Sequence, residues 1–319
     1  TAPIPILAPG RPTAPKPNLS PEIPTAPIPN LAPGRLPKPN SSETQKPIDI
    51  KKKLEMVLDT RRNAMQSKSN RFPNGLGNDS GELGHNIMDH HFQIGADASY
   101  DGFEDKYYTG RRPNGIYIPR FQNIGGNTKS KDFLRGYGYQ GGASRTDWKE
   151  YVKEASYGEK LKQAIIRPGK WKMGLLAFGE ILPYHDNKMF LDYDKTDKWG
   201  LPTVTFDAQL RENEMNMRKD MQLQAMEMLD KAGFKNVKPY NGSYGLGLGI
   251  HEMGTARMGR DPKTSVLNAF NQIHSVKNVF ITDGSCMTSS GNVNPSLTYM
   301  AITARAVDHA VRELKKNKL

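Results

Sequence analysis

The first 40 residues hold 13 of the chain's 23 prolines, and this concentration limits the fold more than any other feature. Each proline lacks a backbone N–H and fixes its own φ, so one at every second or third position excludes both helix and central strand. The segment also repeats itself. Thr1–Arg11 reads TAPIPILAPGR and Thr25–Arg35 reads TAPIPNLAPGR, differing only at Ile6 against Asn30. Residues 1–40 are therefore expected to form an extended polyproline II tether. Two stretches, Pro12-Thr13-Ala14-Pro15 and Pro21-Glu22-Ile23-Pro24, also fit the P-x-x-P pattern of an SH3-type ligand.

Globular structure must come from the rest of the 319 residues. Ile50, Leu54, Val57, Leu58, Arg61 and Met65 keep helical spacing, so 41–66 reads as a short amphipathic helix. Residues 67–145 are rich in Gly, Asn and aromatics, which predicts short strands and long loops. A strand over Gly179–Pro183, a turn at Asp186-Asn187 and strands over Met189–Tyr193 and Pro202–Phe206 follow. Residues 211–232 form a helix, with Met217, Met221, Ala225, Met228 and Ala232 in one core stripe and Gly233 as its stop. Val276–Thr282 reads as a buried strand. Pro295–Leu314 reads as a closing helix that shows Leu297, Ala301, Ala304, Val307, Val311 and Leu314 on one face. The expected class is α+β.

Composition narrows the function. The net charge of +12 is spread along the chain, and Lys51–Lys53 is the only tight basic triplet. That distribution suits a solvated basic surface, and no nucleic-acid partner is expected. The single cysteine, Cys286, excludes an internal disulfide and a cysteine-cluster zinc site. No run approaches the 18 or so apolar residues of a membrane-spanning helix. Thr1–Asn40 also lacks the apolar segment of a secretory signal.

Two clusters invite a site reading. Gly136-x-Gly138-x-x-Gly141 has dinucleotide-loop spacing, but that loop needs an apolar strand before it, and Lys131-Asp132-Phe133-Leu134-Arg135 makes a poor one. His85, Asp89, His90 and His91 lie close in sequence. On a helix His85 and Asp89 would share a face and with one further ligand could hold a metal, but no completing ligand is evident, so no metal site is expected.

The C-terminal third holds three motifs in order. These are His251-Glu252-Met253-Gly254-Thr255-Ala256-Arg257-Met258-Gly259, then Asp283-Gly284-Ser285 after an apolar strand, then Asn294-Pro295-Ser296-Leu297-Thr298 at a helix start. Taken alone, Asn294-Pro295 fits an ordinary helix start with proline at its first position. Together the three resemble the C-terminal segment of the glucose–methanol–choline (GMC) family of FAD-dependent alcohol oxidoreductases. Gly84-His85-Asn86-Ile87-Met88-Asp89-His90 is similar to an upstream G-x-N-x-x-D-H segment of that family, and the likeness runs from Ser67 to Leu319.

The resemblance implies FAD as cofactor and an alcohol, such as a sugar or polyol, as substrate. A hydride would pass to flavin N5 and a proton to His251, whose imidazole is the candidate base. Asn294 would hold the substrate oxygen, because an amide takes no proton. Backbone at Asp283 and Gly284 would meet the ribityl or phosphate part. Asn294, Pro295 and Ser296 would meet the isoalloxazine, with the helix N-terminus favouring negative charge on the reduced ring. The implied organisation is a substrate-binding region over 67–249 and a flavin-contacting segment over 250–319, the latter a remnant of a Rossmann-like FAD domain. The family's opening βαβ unit has no counterpart at the start, so a member lacking its ADP-binding half is expected, completed by another chain and served by an electron acceptor. The competing expectation is a catalytically silent scaffold that uses its Pro-rich arm as a ligand.

Overall fold

The computed structural model describes residues 62–104, 115–145, 157–166, 169–242 and 246–319. The Pro-rich tether and most of the 41–66 helix lie outside them, and residues 62–66 are helical. The central element is a five-stranded sheet built from β1 (Ile94–Tyr100), β2 (Gly115–Ile118), β3 (Tyr137–Arg145), β4 (Trp171–Gly179) and β7 (Lys235–Asn241). Its order is β2-β3-β4-β1-β7, with every neighbour antiparallel. β5 (Lys188–Thr196) and β6 (Pro202–Asp207) form one hairpin, and β8 (Gln272–Ile273) and β9 (Val276–Phe280) another. Besides residues 62–66, the described α-helices are α1 (Glu159–Ile166), α2 (Glu212–Lys231) and α3 (Ser296–Lys315). The α+β class is as expected. No helix of the described residues is long and apolar enough to cross a membrane.

Strand periodicity decides which face of the sheet is packed. Alternate residues Ile94, Ala96 and Ala98 on β1, Tyr137 and Tyr139 on β3, and Leu175 and Ala177 on β4 are buried in one cluster with α2. From α2 come Met217, Met221, Ala225 and Leu229, spaced four apart on one stripe. The alanines and Gly179 let the helix come close, and a Cβ on Gly179 would lie 2.3 Å from the Met221 methyl. Each fully buried Met contributes on the order of 2 kcal/mol of apolar burial. The tyrosine hydroxyls are satisfied, with Tyr139 donating to the Met221 carbonyl and Tyr137 to Asp220, each at 2.5 Å.

Several expectations shift. The α2 stripe ends at Leu229, while Met228 packs at its margin and Ala232 is exposed. The strand read over Gly179–Pro183 instead runs over Trp171–Gly179, where the Gly174–Phe178 apolar run lies. β9 is half-exposed in a two-stranded hairpin rather than buried; Val276 and Val279 pack against the margin of a core, and Ile281 beyond the strand is buried in it. The expected face of α3 is solvent-facing: Leu297 is 77 % exposed and Leu314 is 62 %, while Ala306 alone is fully packed.

A second core gathers distant segments. Ala64, Met65 and Leu83 meet Met189 and Leu191 of β5, together with Ala256, Val266, Leu267, Ile273, Ile281 and Cys286. This packing brings residues 84–90 beside 251–258 and 284–286.

Candidate active site

Backbone pairing assembles the site from three motifs. Met88 and Met253 exchange N–H···O bonds of 2.9 Å in each direction, an isolated antiparallel bridge. Gly254, Ala256 and Met258 donate in turn to the carbonyls of Gly284, Ser285 and Cys286. Gly254 sits at φ +81°, where its missing Cβ would collide with the Asn86 carbonyl at 2.0 Å, so glycine alone fits this crossing.

Asp89 ties down the loop that ends in His251. Its Oδ1 accepts the N–H groups of His90 at 2.7 Å and His251 at 3.1 Å; its Oδ2 accepts those of Gly247 and Gly249, each at 2.9 Å. The side chain is fully buried. Burial pushes its pKa up, and the four N–H bonds pull the other way. Two oxygens filled by N–H donors favour the anion.

His251 is partly buried and faces two partners. Its Nδ1 lies 2.9 Å from Nδ1 of His90, and its Nε2 lies 3.3 Å from Nδ2 of Asn294. Burial, and next the neighbouring His90, pull its pKa down to about 4, so the ring is neutral at neutral pH. His90 is buried, and burial lowers its pKa too. Asn294 is exposed at the edge of the site. Its Oδ1 accepts from Gln140 Nε2 at 2.7 Å. The amide of Asn294 therefore does not cap α3; Pro295 occupies the cap position and makes no side-chain cap bond.

Gln140 is the residue that sequence reasoning missed. Tyr137 and Tyr139 point into the α2 core, so the alternation of β3 sends Gly138 and Gln140 to the opposite face, where Asn292 and Asn294 lie. That same alternation was the available signal. It also corrects the expectation of a glycine-rich loop over Gly136–Gly141, whose dinucleotide spacing lacks the apolar strand such a site needs. Gly138 and Gly141 lie within β3, and a Cβ on Gly141 would stand 2.3 Å from the Gly174 carbonyl on β4. These glycines serve close strand packing.

The remaining candidates are placed as follows. Asp283 caps the turn Gly284–Cys286, accepting from the Ser285 N–H at 2.8 Å and from its hydroxyl. Gly284 is buried against the Glu252 carbonyl. Pro295 is buried and Ser296 is exposed on the first turn of α3. His85 turns away to donate Nδ1 to the His185 carbonyl at 2.8 Å and stacks on the His185 ring. His91 points inward and is fully buried, beside the backbone of Glu180. Among the described residues no group of three His, Cys, Asp or Glu could hold a metal.

The antiparallel sheet thus presents Gln140 to Asn294, and Asn294 faces a neutral, loop-locked His251 just before the start of α3. Residues 183–303 match the family model described as GMC oxidoreductase, C-terminal part. Among curated relatives, 2-methyl-1,2-propanediol dehydrogenase of Mycolicibacterium austroafricanum is 29% identical over 268 residues, covering 80% of this chain and 46% of that protein. The fructose dehydrogenase large subunit of Gluconobacter japonicus is 27% identical over 263 residues, covering 81% and 46%. A solved structure of formate oxidase from Aspergillus oryzae RIB40 is 15% identical with a TM-score of 0.40, covering 75% of this chain and 48% of that one. The chain spans about half the length of the curated relatives it matches.

The family's members are FAD-dependent flavoproteins. The ring end of that cofactor fits the residues present. Ser296, Leu297 and Thr298 are exposed on the first turn of α3, where a helix leaves N–H groups without carbonyl partners. His251 and Asn294 open beside that turn. The ADP end finds no glycine loop at Gly136–Gly141, because β3 begins at Tyr137 and runs through Gly138 and Gly141.

Proposed function

We propose that the chain carries the substrate-binding and flavin-contacting part of an FAD-dependent oxidoreductase acting on CH–OH groups of an alcohol, sugar or polyol. The observation that supports this reading best is the 3.3 Å separation of His251 Nε2 and Asn294 Nδ2. A hydroxyl oxygen about 2.8 Å from each nitrogen completes a triangle on that edge. Asn294 donates one N–H to that oxygen, and His251 Nε2 takes its proton. Gln140 holds Asn294 Oδ1, so the amide keeps its N–H side toward the substrate. FAD, when bound, supplies the acceptor for the hydride leaving the alcohol carbon. Asn294, Pro295 and Ser296 meet the flavin ring, and backbone at Asp283 and Gly284 meets its ribityl or phosphate part.

The test is an FAD titration of the 319-residue chain, alone and mixed with the N-terminal half of a curated relative, followed by anaerobic addition of alcohols and sugars. Alcohol-dependent loss of flavin absorbance is expected, slowed by about 10²–10⁴-fold in His251→Ala. Bleaching that is unchanged in His251→Ala, or no saturable FAD binding in either mixture, overturns the reading and favours the scaffold role.

A further inference from the structure

His251 can accept a proton at Nε2 only if its own proton sits on Nδ1. A neutral imidazole carries one proton, and which nitrogen holds it depends on what each nitrogen faces. The surroundings of His251 settle that choice through a neighbour 161 residues away in sequence.

Ser290 presents to His90 a group that cannot donate. His90 Nε2 lies 3.3 Å from the Ser290 carbonyl oxygen. A carbonyl only accepts, so His90 Nε2 carries the hydrogen. In a neutral ring, His90 Nδ1 is then a bare acceptor. It lies 2.9 Å from His251 Nδ1, so the single hydrogen between the two rings belongs to His251. His251 Nε2 is thereby left with its lone pair, facing the N–H of Asn294 at 3.3 Å. The rings are twisted by 70°, which an N–H···N bond accepts, since rotation about its axis keeps donor and acceptor aligned.

The polarity is consistent from end to end. Gln140 donates to Asn294, Asn294 to His251, His251 to His90, and His90 to Ser290. His90 is also fixed in place. Its N–H is held by Asp89 at 2.7 Å, its backbone bridges Glu180, and its ring packs edge-on to Phe178. Charged groups beside the pair are Asp89, Glu180 across the backbone bridge to His90, and buried Glu252 next to His251 in the chain, with Arg218 beside His91.

We infer that His90 is a positioning residue that fixes the tautomer of His251, keeping the proton on Nδ1 and the lone pair of Nε2 aimed at Asn294 and the substrate hydroxyl. Its catalytic meaning rests on His251 being the base; the tautomer itself does not. When the alcohol O–H bond breaks, its electrons stay on oxygen and the proton joins Nε2. The resulting imidazolium donates Nδ1–H to a neutral ring, a charge-assisted bond stronger than the neutral one it replaces.

The experiment is long-range ¹H–¹⁵N correlation of the imidazole nitrogens in the full chain labelled with ¹⁵N-histidine, near neutral pH. His251→Asn and His90→Asn assign the two rings. In the wild-type chain, His251 is expected to show a protonated Nδ1 and a bare Nε2, and His90 the reverse. His90→Asn keeps an oxygen acceptor near the former Nδ1, so His251 should retain its pattern. His90→Leu removes the acceptor, and the two His251 resonances should move toward each other or exchange positions. Unmoved resonances of the other histidines report that the variant is folded. A protonated Nε2 on wild-type His251, or an unchanged His251 pattern in folded His90→Leu, overturns the proposal. If His90→Leu does not fold, the wild-type and His90→Asn spectra decide. Failure of alcohol oxidation alongside the expected tautomer would remove the base role of His251 and leave the positioning by His90 intact.

Discussion

Asp89 Oδ1 accepts the backbone N–H of His251 at 3.1 Å, while the other oxygen of the same carboxylate holds Gly247 and Gly249. One buried anion thus closes the loop that carries the candidate base. Asp89→Asn presents an N–H₂ group to at least one pair of N–H donors. Two backbone donors then lose their acceptor in a dry site. The expected cost is about 3 kcal/mol or more. Thermal denaturation should show a lower midpoint, and hydrogen exchange should speed up at Gly247, Gly249 and His251. Unchanged protection of those three amides would mean that Asp89 does not hold the loop.

Acid should weaken the fold through buried imidazoles. His91 is fully buried, and burial pulls its pKa down to about 3, helped by nearby Arg218. A folded-state pKa below the unfolded value of about 6.5 means that the unfolded chain binds the extra proton. Stability is therefore complete above pH 6.5 and falls as pH drops toward 3. Between pH 6.5 and 4 the loss from His91 alone is on the order of 3 kcal/mol. Burial lowers the pKa values of His90 and His251 as well, so both act in the same direction. His91→Phe should flatten the dependence of urea midpoints on pH in this window. An equally steep slope in that variant would place the acid sensitivity elsewhere.

The parts of this site that could be read in the sequence are those written within one local segment. The H-x-x-G-T run at His251, the turn at Asp283 and the Asn294-Pro295 helix start each keep their motif residues within a few positions. α2 was legible because Met217, Met221 and Ala225 repeat at helical spacing. The His90–His251 contact was not, because it depends on the Met88–Met253 bridge between distant segments. Periodicity marked the apolar stripe of α3 correctly but carries no information on what lies against it, and Leu297, Val307 and Leu314 are exposed. Gln140 was hidden because its neighbours Gly138 and Gly141 were weighed as a loop, when the tyrosines between and before them mark a strand.

That correction has its own test. A methyl at Gly141 would meet the Gly174 carbonyl at 2.3 Å, which is backbone and cannot rotate away. Gly141→Ala should cost about 2–3 kcal/mol and lower the melting midpoint by roughly 5–10 °C. A phosphate-binding loop would give a different result, with weaker FAD binding at unchanged stability. Calorimetry and an FAD titration on the same variant separate the two.

The polarity of the site can be challenged from its other end. Gln140 Nε2 donates to Asn294 Oδ1, and this bond keeps the Asn294 amide turned with its N–H₂ toward His251. Gln140→Glu replaces the donor with a carboxylate that only accepts. The Asn294 amide must then turn over to donate to residue 140, and its oxygen faces His251 Nε2. An oxygen there requires a proton on Nε2. His251 then either moves its proton from Nδ1, leaving two bare nitrogens facing each other across 2.9 Å, or becomes the imidazolium. The added negative charge favours the second outcome. The pKa of His251, held down to about 4 in the native site, should rise toward the ordinary value for an imidazole, as followed by NMR titration. Alcohol-dependent flavin reduction at neutral pH should fall with it, because a protonated Nε2 accepts nothing. Gln140→Leu provides the contrast. It removes the donor without adding charge, so it should cost about 1 kcal/mol, roughly fivefold in kcat/KM, and leave the His251 titration near its native position. A Gln140→Glu variant whose His251 titrates as in the native chain would mean that Asn294 is held by something other than Gln140.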